Sequence, residues 1–493
     1  MTPALGSVAG GTRIELAGGG LSTSTTVAIG GIACTGVTVD AGTLSCVTGS
    51  SDFVEGAMDV VAQKGGEQAM LPGAFTYRCL FTTSAGRESC GAAPPRAAPE
   101  QTVAAWITQF QADHGFTPAA QNTGATNMAD TSDFVLGTQS VSLSTDGAGG
   151  AQNLIRVGAP ATDFTDRDLK IWVKVENVVH LRELYVLLGD SGLQNYYRFK
   201  ISASQGQLWM TEGDWVSFAI PFSAENYVLT GTPNRAAITD IEIRAADDAL
   251  GSPVRVHVNG LALIDEPVQQ YPQGVVSFTF DDNYSTMVDP GFSTLAAHGF
   301  PGTAYVIVDM VGKPGHASLD DLHAMQTAGW DISVHANTDL HHSASYVGLP
   351  LDVVEDDMVD ARAWLIANHF KGYDHCGYPS GEFDDLGVNA LPLARKYFTS
   401  CRTIFHGQQE TSPPSDAAKL RVLYVTVGVT LATVEAEIDH ARESREWLIL
   451  VFHRLVPAPA LMTEWSSADF AALADYVTAS GVTVKPVSSV LAP

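Results

Sequence analysis

Hydrophobic and polar residues alternate in two different rhythms along this chain, and the change falls near residue 270. Before it, short runs alternate with a period of two, as half-buried strands do. Arg13-Ile14-Glu15-Leu16, Thr25-Thr26-Val27-Ala28-Ile29 and Met58-Asp59-Val60-Val61 are separated by glycine turns, which predicts a small β-sandwich over residues 1–79. Residues 80–100 contain Gly91-Ala92-Ala93-Pro94-Pro95 and read as a linker that propagates neither helix nor sheet. Residues 101–268 return to the period of two. Leu169, Ile171, Val173 and Val175 mark one face of a strand, and similar runs recur at 185–188, 196–201, 215–220, 238–244 and 254–263. That density of strands predicts a jelly-roll-like β-sandwich.

From residue 271 onward, apolar strands alternate with amphipathic helical stretches. Strands are expected at 275–280, 302–308, 331–335, 377–381, 398–404, 447–453 and 482–487, with helices at 351–367, 431–444 and 467–480. Repeated β-then-α units mean a parallel sheet, here a distorted (β/α) barrel, with its chemistry where strands end and loops begin.

Composition narrows the partners. The 493-residue chain is too long for one core, and its net charge of −27 excludes nucleic acid and anionic membrane as natural partners. It suits a neutral or cationic polymer. There is no apolar run long enough to span a bilayer, so no membrane insertion is expected. The start, Met1-Thr2-Pro3-Ala4-Leu5, lacks the basic and apolar segments of a signal peptide, which is expected to be absent or removed. The 6 cysteines fall in local pairs, Cys34/Cys46, Cys79/Cys90 and Cys376/Cys401. Disulfides are expected for the first two pairs, with the third left open, and with them a secreted, cell-surface or virion-exposed setting.

The candidate chemistry lies at the strand ends of the last unit. Val275–Phe280 runs into Asp281-Asp282-Asn283. Neighbouring residues leaving a strand diverge, so one carboxylate can bind a cation while the other handles a proton. His335 closes the next but one strand, and Asp339, His341 and His342 follow within one loop. Imidazoles and carboxylates from two strand ends suit a divalent ion. Asp282 is the natural carboxylate ligand, leaving Asp281 as the base. Tyr378-Pro379-Ser380-Gly381 can present a backbone N–H to a developing oxyanion, and His453, after Leu448-Ile449-Leu450-Val451-Phe452, can donate a proton. Each of these features has a bland alternative: an Asx turn, a structural histidine, an ordinary turn. In the central unit, Tyr196, Tyr197, Trp209 and Trp215 are candidates for stacking on sugar rings, although aromatics more often fill a sandwich.

Two resemblances follow from these residues. The order Gly10-Gly11-Thr12, Gly18-Gly19-Gly20, Val27-Ala28-Ile29-Gly30-Gly31, Cys34, Cys46 and Ala74-Phe75-Thr76-Tyr77 resembles the IPT/TIG immunoglobulin-like family, a spacer or adhesive module. Residues 274–493 resemble the NodB-homology polysaccharide deacetylases of carbohydrate esterase family 4. Thr279-Phe280-Asp281-Asp282-Asn283 stands for the motif Thr-Phe-Asp-Asp-Gly, which implies Asp281 as general base and Asp282 as metal ligand. His335 matches the first histidine of the second motif, but Asp339 stands where the second is due. A short insertion moves the third ligand to His341, with His342 and then Asp339 as alternatives. Gly377-Tyr378-Pro379-Ser380 replaces Arg-x-Pro-Tyr, so Ser380 would supply the oxyanion N–H and Arg402 the missing guanidinium. Val451-Phe452-His453 replaces Leu-x-His and implies His453 as general acid. The central unit looks like the accessory carbohydrate-binding sandwiches of glycan-active enzymes.

The implied activity is metal-dependent removal of N- or O-acetyl groups from an acetylated polysaccharide or oligosaccharide, with zinc first and cobalt or nickel next. The alternatives are a catalytically inactive glycan-binding adhesin or phage tail receptor-binding protein, which would be an oligomer, a hydrolase of non-sugar amides, and a glycoside hydrolase.

Overall fold

A computed structural model of the chain describes residues 1–201, 210–224, 226–266, 270–384, 387–405 and 409–492. Trp209, one of the candidate stacking residues, lies outside the described residues.

The first unit packs a five-stranded sheet against a three-stranded one. In the strand Arg13–Ala17 the alternation holds, with Ile14 and Leu16 buried and their neighbours exposed. Val27, Ile29, Leu44, Phe75 and Tyr77 complete the core. Cys46 is buried in it beside Cys34, but both are free thiols, against the disulfide expected there. The bonded pairs are Cys79–Cys90 and Cys376–Cys401.

The connecting segment is not a free linker. Its 3-10 turn Cys90–Ala92 lies on the helix Leu351–Ala367 of the last unit. A Cβ on Gly91 would fall 1.8 Å from the Val359 carbonyl oxygen, so only glycine permits this approach. The fully buried Arg362 donates to the Gly91 and Ala93 carbonyls and pairs with Asp374.

The central unit is a sandwich of two six-stranded antiparallel sheets. Leu169, Ile171, Val173 and Val175 all face its core, as their spacing predicts. Tyr197 fills space between Phe222 and Tyr227 and donates to the Pro233 carbonyl, so it offers no open stacking face.

In the last unit the strands run in parallel in the order Ser400–Arg402, Gly372–Gly377, Asp331–Ala336, Thr303–Ile307, Val275–Phe280, Trp447–Phe452, Leu423–Tyr424. A parallel bridge between Arg402 and Leu420 brings the two ends together, so the expected barrel appears as a curled sheet closed at a single rung. Val276, Phe278 and Phe280 pack outward under the helices, while Val275 faces inward with Trp447, Ile449 and Val451. Burial on both faces explains why these strands read as continuous apolar runs. The expected strand at 377–381 is displaced: the strand is Gly372–Gly377, and Pro379–Gly381 is a turn. Pro379 has no N–H for the ladder, and Ser380 turns left-handed at φ 57°. Buried polar residues Asp374 and His375 hide the true strand from a hydrophobicity reading.

Candidate metal centre and active site

The first strand end sets the geometry. Asp281 donates its backbone N–H to the Phe452 carbonyl at 2.9 Å, extending the ladder by one residue. The chain then turns sharply through Asp282 at φ 65° and Asn283 at φ 41°. A left-handed non-glycine residue costs about 1–3 kcal/mol and persists only where its surroundings hold it. Asn283 is held: its Oδ1 accepts from the Ile307 N–H at 2.9 Å and its carbonyl from Ala317 at 2.8 Å. Asparagine thus does here what glycine does in the family motif.

Asp282 Oδ1 meets His335 Nε2 at 3.4 Å and His342 Nε2 at 3.2 Å, and the two imidazole nitrogens are 3.1 Å apart. Three ligands about 2.0–2.2 Å from one ion at tetrahedral angles stand roughly 3.3 Å from each other, so this triangle fits a zinc-type ion. Asp282 Oδ1 is buried without a hydrogen-bond donor among the described residues. His335 Nδ1 donates to the Gly377 carbonyl at 2.8 Å, which leaves Nε2 with its lone pair toward the triangle. Burial alone would raise the pKa of Asp282, but contact with His335 and the charges of His335, His453 and His342 outweigh it and hold the carboxyl well below its usual range. Burial, with the His335 charge, lowers His342 to about 4, so it is a neutral donor near pH 7. His335 shifts up instead, because Asp281 and Asp282 overcome its burial.

The expected third ligand is corrected. His341 turns away and bonds Asp357 at 2.6 Å, while His342, from the same short helix Asp339–Ala344, completes the triangle. Asp339 is exposed at the start of that helix.

Opposite the triangle, Arg402 Nη2 contacts both oxygens of Asp281, at 2.5 and 2.6 Å. The guanidinium is fully buried, over the ring of Tyr305. His453 Nε2 stands 3.7 Å from Asp281 Oδ2, its Nδ1 buried with no partner among the described residues. Burial keeps the His453 pKa below the usual imidazole value. Ser380 is exposed on its turn, whose Pro379 carbonyl accepts from Ser345 Oγ at 3.3 Å.

The polysaccharide deacetylase family model matches residues 269–394, and the IPT/TIG domain model matches residues 1–77. The chain carries a polysaccharide deacetylase domain behind an IPT/TIG domain. Among solved structures, a Streptococcus pyogenes deacetylase, PplD, in complex with acetate is 18% identical, with a TM-score of 0.29, over 33% of this chain and 69% of that one. A T48 deacetylase with substrate is 15% identical, with a TM-score of 0.30, over 44% and 91%. A family 11 carbohydrate-binding module from a Clostridium thermocellum cellulase is 14% identical, with a TM-score of 0.25, over 33% and 96%. Fibrocystin-L of Mus musculus is 35% identical over 80 residues, and the match spans 16% of this chain and 2% of that protein.

Within the deacetylase domain, two features escaped the sequence reading. Asp357, buried in the helix Leu351–Ala367, accepts from the Asn337 and Thr338 N–H groups, His341 and the Tyr346 hydroxyl. It thereby fixes the loop that delivers His342, and its place twenty-two residues beyond His335 gives no local signal. Gly377 is the other: it pairs in register with Arg402 on the next strand, and a Cβ there would lie 2.7 Å from Arg402 Nη2. The glycine that replaces the motif's arginine makes the room that Arg402 occupies.

Proposed function

We propose that this chain is a metal-dependent hydrolase that removes N- or O-acetyl groups from a surface or extracellular polysaccharide. The observation that carries the reading is the convergence of the Asp281–Arg402 pair and His453 on the Asp282–His335–His342 triangle. Those three residues would hold a divalent ion, zinc by donor chemistry, with cobalt or nickel also suited. When bound, such an ion supplies Lewis acidity, acidifying water and polarising a carbonyl oxygen. Asp281, oriented by Arg402, would accept the proton of the attacking water. The Ser380 N–H would donate to the oxyanion, and His453 would protonate the departing amine or alcohol, leaving acetate. The two disulfides support an oxidising, extracytoplasmic setting, and no described helix is long and apolar enough to cross a membrane.

The test is acetate release from acetylated chito-oligomers and acetylated xylan. Activity is expected to fall to background with a chelator, to return with zinc, cobalt or nickel, and to drop about 10²–10⁴-fold in Asp281→Asn. Acetate release that survives both treatments, or none from any acetylated glycan by the metal-loaded chain, would overturn the reading.

A further inference from the structure

A cleft of about 710 Å³ opens where the central sandwich, the connecting segment and the deacetylase domain meet. Its size is in the range of ligand sites, about 300–1,000 Å³. Trp172, Lys170 and Ser217 on the outer face of one sheet form one wall, the connecting segment from Pro95 to Glu100 with the adjoining Gln101 forms the second, and Arg395 and Asp416 are on the third. Lys170 and Trp172 are two apart on one strand and share a face, with the ammonium 5.1 Å from the indole centroid. Trp106, paired across the sheet with Ala262 beside Lys170, is 41% exposed and its ring lies 5.0 Å from that of Trp172. The aromatic platform therefore extends beyond the cleft mouth.

Two polar groups, one on each of the first two walls, are unspent. Lys170 is 8% exposed, yet its ammonium has no carboxylate or carbonyl partner among the described residues. Gln101 donates to Thr411 Oγ1 and the Pro413 carbonyl, while its own Oε1 is buried and accepts nothing among the described residues. Arg395 and Asp416 already pair with each other at 2.7 Å. An unpaired donor over the indole and an unpaired acceptor on the adjoining wall match a pyranose ring. Its C–H face packs on the aromatic, and its hydroxyls both donate and accept. The net charge of −27 disfavours a polyanion, and burial lowers the Lys170 pKa against the opposing fields of Glu100 and Asp416, which already face the lysine.

We infer that this cleft is a second glycan site, holding a neutral pyranose segment of the polymer away from the Asp281 centre. The inference rests on the glycan-deacetylase reading for its choice of ligand. Because the third wall belongs to the deacetylase domain, anchored where Ser415 Oγ accepts from the Ala219 N–H at 3.0 Å, the site requires the docked chain.

The test titrates the full-length Asp281→Asn chain calorimetrically with cellohexaose and xylohexaose, which carry no acetyl group, and with trigalacturonate. At least one neutral hexaose is expected to bind, about tenfold more weakly in Trp172→Ala and several-fold more weakly in Lys170→Gln, with near-ultraviolet circular dichroism unchanged. Should Trp172→Ala fail to fold, Trp172→Phe and Lys170→Gln carry the test, with binding weakened in both. No binding of either neutral hexaose, unchanged binding in the folded variants, or tighter binding of trigalacturonate would each overturn the inference. Acetate release by the unsubstituted chain is scored separately, so a cleft that binds nothing leaves the deacetylase reading standing, and the converse holds.

Discussion

At the residue scale, the altered third motif is an exchange across one rung of the sheet. Gly377 and Arg402 face each other, and Cys376–Cys401, one rung earlier, ties the same two strands covalently. The Arg402 guanidinium reaches the Asp281 carboxylate from the strand beside Gly377. Arg402→Ala is therefore expected to lower kcat about 10²–10³-fold with KM little changed, since a preorganised group is removed rather than a binding contact. Gly377→Ala should fall between it and the unsubstituted chain by crowding the same nitrogen, and steady-state acetate release measures both. The sequence made Asp281, Asp282, His335, His453 and Arg402 legible as candidates, because each ends a strand or stands in a motif, and the structure gathers them at one end of the sheet. It left the third ligand ambiguous, because adjacent histidines differ only in which way a short helix turns them. That turn is set by Thr338 capping the His341 N–H and by Asp357 holding the His341 ring. Metal titration separates the pair: His342→Ala should abolish tight binding, while His341→Ala, an indirect support, should weaken it about 10–100-fold. A reversed order would restore His341 as the ligand.

At the element scale, the three long helices at 351–367, 431–444 and 467–480 were legible to the residue, because apolar spacing marks all three and the side chains of Thr430 and Ser466 cap the last two. The strand Gly372–Gly377 was not, since its burial is of polar and small residues satisfied by tertiary partners. The docked connecting segment was hidden for the same reason: Gly91 and Ala93 are read as linker until Arg362 claims their carbonyls. Magnitudes separate the exposed from the buried ion pairs of the helix Leu351–Ala367. Arg87 meets Asp356 and Asp360 at the surface, where such pairs are worth about 0–1 kcal/mol. Arg362 is fully buried with Asp374, and removing one partner of such a pair costs about 3–5 kcal/mol. Denaturant unfolding should show Arg362→Met strongly destabilised and Arg87→Met nearly unchanged. Equal effects would mean that the buried pair does not hold the segment.

At the scale of the whole molecule, the sandwich and the parallel-sheet unit meet over buried acids. Glu446 accepts from Ser223 and Asn226 across the junction, and burial raises its pKa. Asp168 lies nearby in the sandwich, accepts from the Phe222 N–H at 2.8 Å, and is raised by burial to about 8. An acid whose folded pKa exceeds its unfolded value, about 3.9, binds more protons folded than unfolded between the two values. Its contribution is complete below about pH 4 and drains away as pH rises toward 8. Docking should therefore weaken on the alkaline side, as two neighbouring buried carboxyls are forced to ionise. Asp168→Asn keeps an oxygen for the Phe222 N–H and removes the ionisation. Its melting temperature should equal that of the unsubstituted chain at pH 4 and exceed it at pH 8, by the equivalent of a few kcal/mol. Melting curves at half-unit steps across that range decide it: parallel profiles for the two chains would mean that Asp168 ionises without consequence, and that the junction is held by something other than protonated acids.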